Sequence, residues 1–239
     1  MMNKRIPAFE RLMIFSAFIS FGLLFYRCVF TLSFHYTYFL WNLLIAYVSY
    51  IMSKQLIKCK EINVKAILFV SGWLLFFPAC MYLFTDILQM HKTDHFPVIY
   101  DAFLYLSFAW NALLPSLMSL KKVEAFLRRH LSVFLVKVSI LFFIFLSSYS
   151  ICLVRFLHLK DWDVITNTKR FLRVSANNFL NPADHIHSWL SIISLMLLLD
   201  VIYVGFKKLY FMRQINTSIL FNNLCKKRFL VILISIINW

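Results

Sequence analysis

Glycine is scarce in this sequence, acidic side chains are far outnumbered by basic ones, and recognisable catalytic motifs are absent; each shortage closes off a class of answer. Three glycines in 239 residues leave no glycine-rich phosphate loop, and they argue against tightly apposed glycine-interface helices. Neither an HExxH nor a GxSxG motif is present, which removes the zinc metalloprotease and α/β-hydrolase signatures. The five cysteines (Cys28, Cys59, Cys80, Cys152 and Cys225) are odd in number, scattered and without a CxxC pair. They encode neither a disulfide framework nor a zinc knuckle and read as small apolar fillers. Charged residues make up only 15% of the chain and hydrophobic ones 62%. A soluble domain carries about 25% and roughly 45–50%, so a water-filled surroundings cannot accommodate this apolar excess. What the chain has instead is aromatic bulk, with 27 Phe, 11 Tyr and 6 Trp. The lipid bilayer is its expected solvent, and large side chains its expected packing material.

The formal charge of +15 would suggest nucleic acid in a soluble protein, but the basic residues fall in short clusters between apolar runs. That pattern is topology, and no nucleic-acid partner is expected. Apolar segments near residues 12–30, 38–52, 64–85, 96–120, 131–154 and 189–206 each approach the ~20 residues that a ~30 Å hydrocarbon core requires. The first follows a basic start but lacks a small-residue cleavage site, so it reads as an uncleaved anchor. With the N-terminus inside, the inner segments hold 17 Lys and Arg and the outer ones 7, while six of the ten acidic residues face outward. The positive-inside rule therefore puts both termini in the cytoplasm of a multi-pass cell-membrane protein. The expected fold is all-α, a polytopic bundle of about six transmembrane helices in one domain over residues 1–210. Residues 211–239 form a cytoplasmic basic tail whose apolar end, Phe229 to Trp239, is too short to span and suits an interfacial position.

Polar residues beside or inside the spans are the candidates for function. Asp86, His91, Asp94, His95 and Asp101 gather around the connection between spans three and four. On span four Asp101, Leu104, Phe108, Asn111 and Pro115 recur at helical spacing, a stripe that should face protein rather than lipid. Arg155, at the outer end of span five, is the expected counter-charge for Asp86 or Asp101, forming a clasp or a binding site. Lys137 and Asp200 lie at equal depth, roughly 9 Å in, on spans five and six, and are expected to pair across antiparallel helices. Arg27 is expected to snorkel to the far surface. The outward histidines have spacings that suit convergence on an ion poorly, so no metal or cofactor is expected. The segment Leu159 to Pro182 mixes apolar residues with Lys169, Arg170 and Arg173 and reads as an amphipathic piece on the outer surface, with basic groups able to meet an anionic lipid head group.

Three blocks then carry a resemblance: WLLFFPxxxYLFTD at 73–86, YDAFLYLSFAWNxLLxSLMSL at 100–120 and RFLHLKDWDVITN at 155–167. In this order they resemble the signature blocks of the bacterial membrane family known as domain of unknown function 1361. The resemblance implies a multi-span bacterial membrane protein and no defined reaction. Its matching positions are Pro78, Tyr82, Thr85, Asp86, Tyr100, Asp101, Trp110, Asn111, Arg155, Trp162 and Asp163. Ala79, Met81, Gln89 and Val154 depart from the residues usual there (Asn, Pro, His and Gly), marking a divergent member with part of the polar set missing.

The function read from these features is a non-catalytic membrane component or accessory subunit with an outward polar site at Asp86, Asp101 and Arg155, and a possible membrane-protein partner. One alternative is a small-solute or ion transporter using Lys137, Asp200 and helices broken at Pro78 and Pro115. The other is a membrane-embedded enzyme acting on a lipid-linked substrate, with Asp86 or Asp101 as general base.

Overall fold

A computed structural model of the chain describes residues 8–31, 35–86, 97–156, 168–182 and 184–237. Among these every regular element is helical. The helices are α1 (Ala8–Thr31), α2 (Tyr38–Leu56), α3 (Val64–Asp86), α4 (Val98–Leu127), α5 (Val133–Phe156), α6 (Thr168–Leu180) and α7 (Ile186–Ile237), with a single 3-10 turn, His35–Thr37, leading into α2. The chain divides into two compact units, Met1–Leu197 and Leu198–Trp239.

Local chemistry sets the helix ends. Asn63 Oδ1 accepts from the Ala66 N–H at 2.9 Å, satisfying one of the free donors at the start of α3, and Ser132 Oγ accepts from Leu135 N at 3.4 Å at the start of α5. Pro97 immediately precedes α4, where its fixed φ of −60° costs no helical hydrogen bond. Arg129 Nη1 donates to the Ile57 carbonyl at 3.0 Å, capping the C-terminal end of α2 from the far end of α4. Short connections, residues 57–63 between α2 and α3 and 128–132 between α4 and α5, make each of these pairs antiparallel neighbours.

Among the described residues, four helices are long and apolar enough to cross a membrane: Glu10–Thr31, Val98–Leu127, Val133–Val154 and Ile186–Met212. α2 and α3 are 19 and 23 residues long. α6, with 13 residues, is only about 20 Å long and cannot span. Beyond the expected sixth span, α7 continues as one helix to Ile237, so no break separates the span from the segment read as a tail.

α4 is the axis of the first unit. It packs against α1, α2, α3 and α5. The stripe Asp101, Leu104, Phe108, Asn111 and Pro115 is buried as its spacing predicted. Around it, Leu24, Phe39, Leu43, Leu83, Tyr105 and Ala112 form one apolar cluster, with the Phe39 ring stacked 5.1 Å from Phe108. Outward, α1 presents Phe15, Phe18 and Phe25 at 68–72% exposure, a surface that suits lipid and not water. Gly72 of α3 faces Met52 of α2, whose Cε would stand 3.0 Å from a Cβ added there. Both α3 and α4 continue through their internal prolines, Pro78 and Pro115, so the expected broken-helix pair is not formed. Neighbouring hydroxyls supply polar contacts there: Ser116 Oγ donates to the Ala112 carbonyl at 2.6 Å and Ser119 Oγ to the Ser116 carbonyl at 2.7 Å.

Candidate functional site

Three polar layers tie α1 to α2 and α4, and their spacing follows from helix geometry. At ~1.5 Å per residue, Glu10 and Arg27 are about 25 Å apart along α1, and Lys122 and Asp101 about 31 Å apart along α4. The two end layers therefore bracket a hydrocarbon core of ~30 Å, with one polar layer between them.

The first layer is an ion pair. Arg27 Nε donates to Asp101 Oδ1 at 2.7 Å and Nη2 to Oδ2 at 3.1 Å, a two-pronged clasp between the last turns of α1 and the first turn of α4. Both side chains are about 97% or more buried. This corrects the expectation for Arg27: its guanidinium turns inward to a carboxylate and does not snorkel out. Tyr36, from the 3-10 turn, closes the site from a third side. Its hydroxyl donates to Asp101 Oδ2 at 3.3 Å, and its ring lies 5.1 Å from the Arg27 guanidinium carbon. Burial, reinforced by the adjoining Asp101 carboxylate and opposed by Arg27, holds the Tyr36 phenol above its ordinary pKa. Tyr100 Oη donates to the Leu23 carbonyl at 2.7 Å, adding a neutral tie between the same two helices.

The middle layer centres on Asn111. Its Nδ2 donates to Ser20 Oγ at 2.8 Å, to the Ser16 carbonyl at 3.1 Å and to the Ser107 carbonyl at 2.9 Å, while its Oδ1 accepts from Ser16 Oγ. An asparagine amide has no water to turn to at this depth, and two serines one helical turn apart on α1 supply its partners. α3 joins α4 in a similar way: the fully buried Trp73 donates Nε1–H to Ser119 Oγ at 3.0 Å.

The third layer lies at the opposite end. Lys54 Nζ is 2.6 Å from Glu10 Oε1, and Tyr50 Oη donates to the same oxygen at 3.0 Å. Lys122 Nζ reaches Tyr50 Oη at 3.4 Å and stands 4.5 Å over that ring. Neighbouring Glu124 is taken by Arg128 at 2.6 Å.

Of the other expected site residues, Asp86 and Arg155 fall in the last turns of α3 and α5, and their side chains lie outside the described residues. So do Trp162, Asp163, His91, Asp94 and His95. The carboxylate Asp101, assigned in the sequence to Arg155 as one of two possible partners, is held by Arg27 and Tyr36. Lys137 is exposed on α5 in the first unit, and Asp200, its expected partner, is half-buried on α7 in the second. Among the described residues, no three His, Cys, Asp or Glu side chains gather as ligands for an ion.

Of the segment read as amphipathic, Leu159 to Pro182, residues Thr168–Leu180 form α6. Tyr149 Oη of α5 donates to the Ser175 carbonyl at 2.7 Å, and Trp189 Nε1 of α7 donates to the Asn178 carbonyl at 3.0 Å. The rings of Tyr149, Phe179 and Trp189 close over that joint at 5.9–6.4 Å. Lys169, Arg170 and Arg173 are exposed along with Leu172 and Leu180, the composition of a helix lying in a membrane interface.

Sequence reading identified Asp101 and Asn111 but missed the α1 half of both sites. The available signal was Ser16-xxx-Ser20, a small-xxx-small pair on one face of an otherwise bulky span. No curated protein and no solved structure matches the chain. The family model described as protein of unknown function (DUF1361) matches residues 41–202, which take in α4 and its partners Tyr50 and Trp73. Covering well over half of the sequence, that match places the chain in the DUF1361 family.

Proposed function

We propose that this chain is a non-catalytic component of a cell membrane, an accessory subunit to another membrane protein, crossing the bilayer six times with both termini in the cytoplasm. The observation that carries this reading is the state of Asp101. A general base or an ion ligand needs a lone pair open to its substrate, whereas both Asp101 oxygens are engaged by Arg27 and Tyr36 in a site 1% exposed. A buried bidentate pair of this kind fixes the register of two helices. The six long helices α1 to α5 and α7 support the span count, and the excess of basic residues at one end supports the orientation.

Photo-crosslinking residues placed at Phe18 and Phe25, on the exposed face of α1, test the accessory role in native membranes. The reading predicts that one and the same membrane protein is recovered from both positions. Lipid adducts alone contradict it. So does substrate-dependent flux in proteoliposomes that Asp101→Asn abolishes while the protein stays folded.

A further inference from the structure

The layer around Tyr50 holds more positive charge than it balances. Glu10 Oε1 takes both the Lys54 ammonium and the Tyr50 hydroxyl, and Glu124 is engaged by Arg128. Among the described residues Lys122 makes no ion pair at contact distance, and the Glu10 carboxylate that serves Lys54 attracts it only from further off. Its ammonium rests on the Tyr50 ring at 4.5 Å, while Lys54 Nζ lies 5.5 Å from the same ring. Two ammonium groups gathered on one aromatic ring repel each other unless an anion offsets them, and the single carboxylate neutralises one of the two charges. Lys122 is half-buried and Lys54 keeps 41% of its side chain exposed, so one group forms a floor and the other an open edge.

We infer that Lys54, Lys122 and the Tyr50 hydroxyl form a seat for the phosphate of an anionic phospholipid. Three placements favour a lipid over a free anion. The cluster sits in the first turn of α1, the last turn of α2 and near the end of α4, about 25–31 Å from the Arg27–Asp101 layer, which is head-group depth for one leaflet. Leu12 and Ile51, within one turn of Glu10 and Lys54, are 54% and 52% exposed and offer apolar surface to an acyl chain. Basic groups lodged between helix ends on one side of a bundle are a recurrent setting for anionic head groups. Glu10 is then a built-in competitor, holding Lys54 until a phosphate takes its place. The inference rests on the chain's lying in a bilayer and not on its having a protein partner.

Native mass spectrometry of the full chain from detergent, with phosphatidylglycerol, phosphatidylcholine or inorganic phosphate added, tests it. Expected are phosphatidylglycerol adducts well above phosphatidylcholine adducts, a loss of about fivefold in their affinity in Lys122→Gln, and its recovery in Lys122→Arg. Glu10→Gln, which frees Lys54 without changing shape, should raise phosphatidylglycerol binding above the natural chain. Equal binding of the two lipids overturns the inference, as does phosphatidylglycerol binding indifferent to both substitutions. Saturable inorganic phosphate binding without lipid preference overturns the lipid assignment. Should Lys122→Gln fail to fold, Lys54→Gln and Glu10→Gln decide the matter by their opposite expected directions.

Discussion

Replacing Arg27 by Met, Asp101 by Leu, and then both together separates a structural clasp from a charge kept for chemistry. In the natural chain the guanidinium and carboxylate meet at 2.7 and 3.1 Å with both side chains nearly fully buried. Removing either partner leaves the other charge in a site built for a pair, and such truncations cost about 3–5 kcal/mol each. Removing both takes away the desolvation penalty with the attraction, so the double variant should lie within about 1 kcal/mol of the natural chain. The two single losses then fail to add, and the interaction energy between the sites is roughly 5 kcal/mol or more. Reversible unfolding in mixed micelles, followed by loss of Trp fluorescence, measures all four corners of this cycle. Single variants as stable as the natural chain, or a double variant worse than both singles, would refute the clasp.

Three further outcomes follow from the other contacts. Asn111→Ala removes the partners of Ser16 and Ser20 and should cost about 0.6–1.7 kcal/mol, the range of interhelical hydrogen bonds in membranes, in the same unfolding assay. Tyr149→Phe frees the Ser175 carbonyl and should speed amide hydrogen exchange across Thr168–Leu180 while leaving α4 protected; unchanged exchange in α6 would mean that the aromatic joint alone holds it. Tyr36 makes stability fall at alkaline pH. Because its folded pKa is raised by burial, its contribution is intact below the unfolded value of about 10 and is lost as pH rises from there through the folded value. Tyr36 should therefore add no pH dependence to stability between about pH 6 and 9, followed by an alkaline decline that Tyr36→Phe reduces.

The features legible in the sequence are those that periodicity within one segment encodes. The burial of the Asp101-to-Pro115 stripe followed from spacing alone, because polar residues repeating on one face of a span have no stable place against lipid. Partner choice was not legible. Arg27 and Asp101 are 74 residues apart. Nothing in either segment sets how far α1 slides along α4, so an arginine near a span end reads as a surface residue and Arg155 looked the better counter-charge. The serines escaped for another reason: Ser16 and Ser20 also bond to the carbonyls of Met13 and Ser16 within their own helix, so each is locally satisfied whether or not Asn111 faces it. Lys54 and Lys122 carried a topological signal strong enough to conceal that they share one tyrosine. Pro78 and Pro115 misled in the opposite direction, because a proline removes one hydrogen bond without ending a helix that its neighbours hold in place.

An experimental structure of the chain in lipid nanodiscs, read for what touches the two oxygens of Asp101, tests the central claim most directly. Expected is the Arg27 guanidinium on both oxygens, close to 2.7 and 3.1 Å, with the Tyr36 hydroxyl beside them and nothing between. An Asp101 carboxylate turned away from Arg27 into an open pocket holding an ion, a head group or a chain of waters would contradict it.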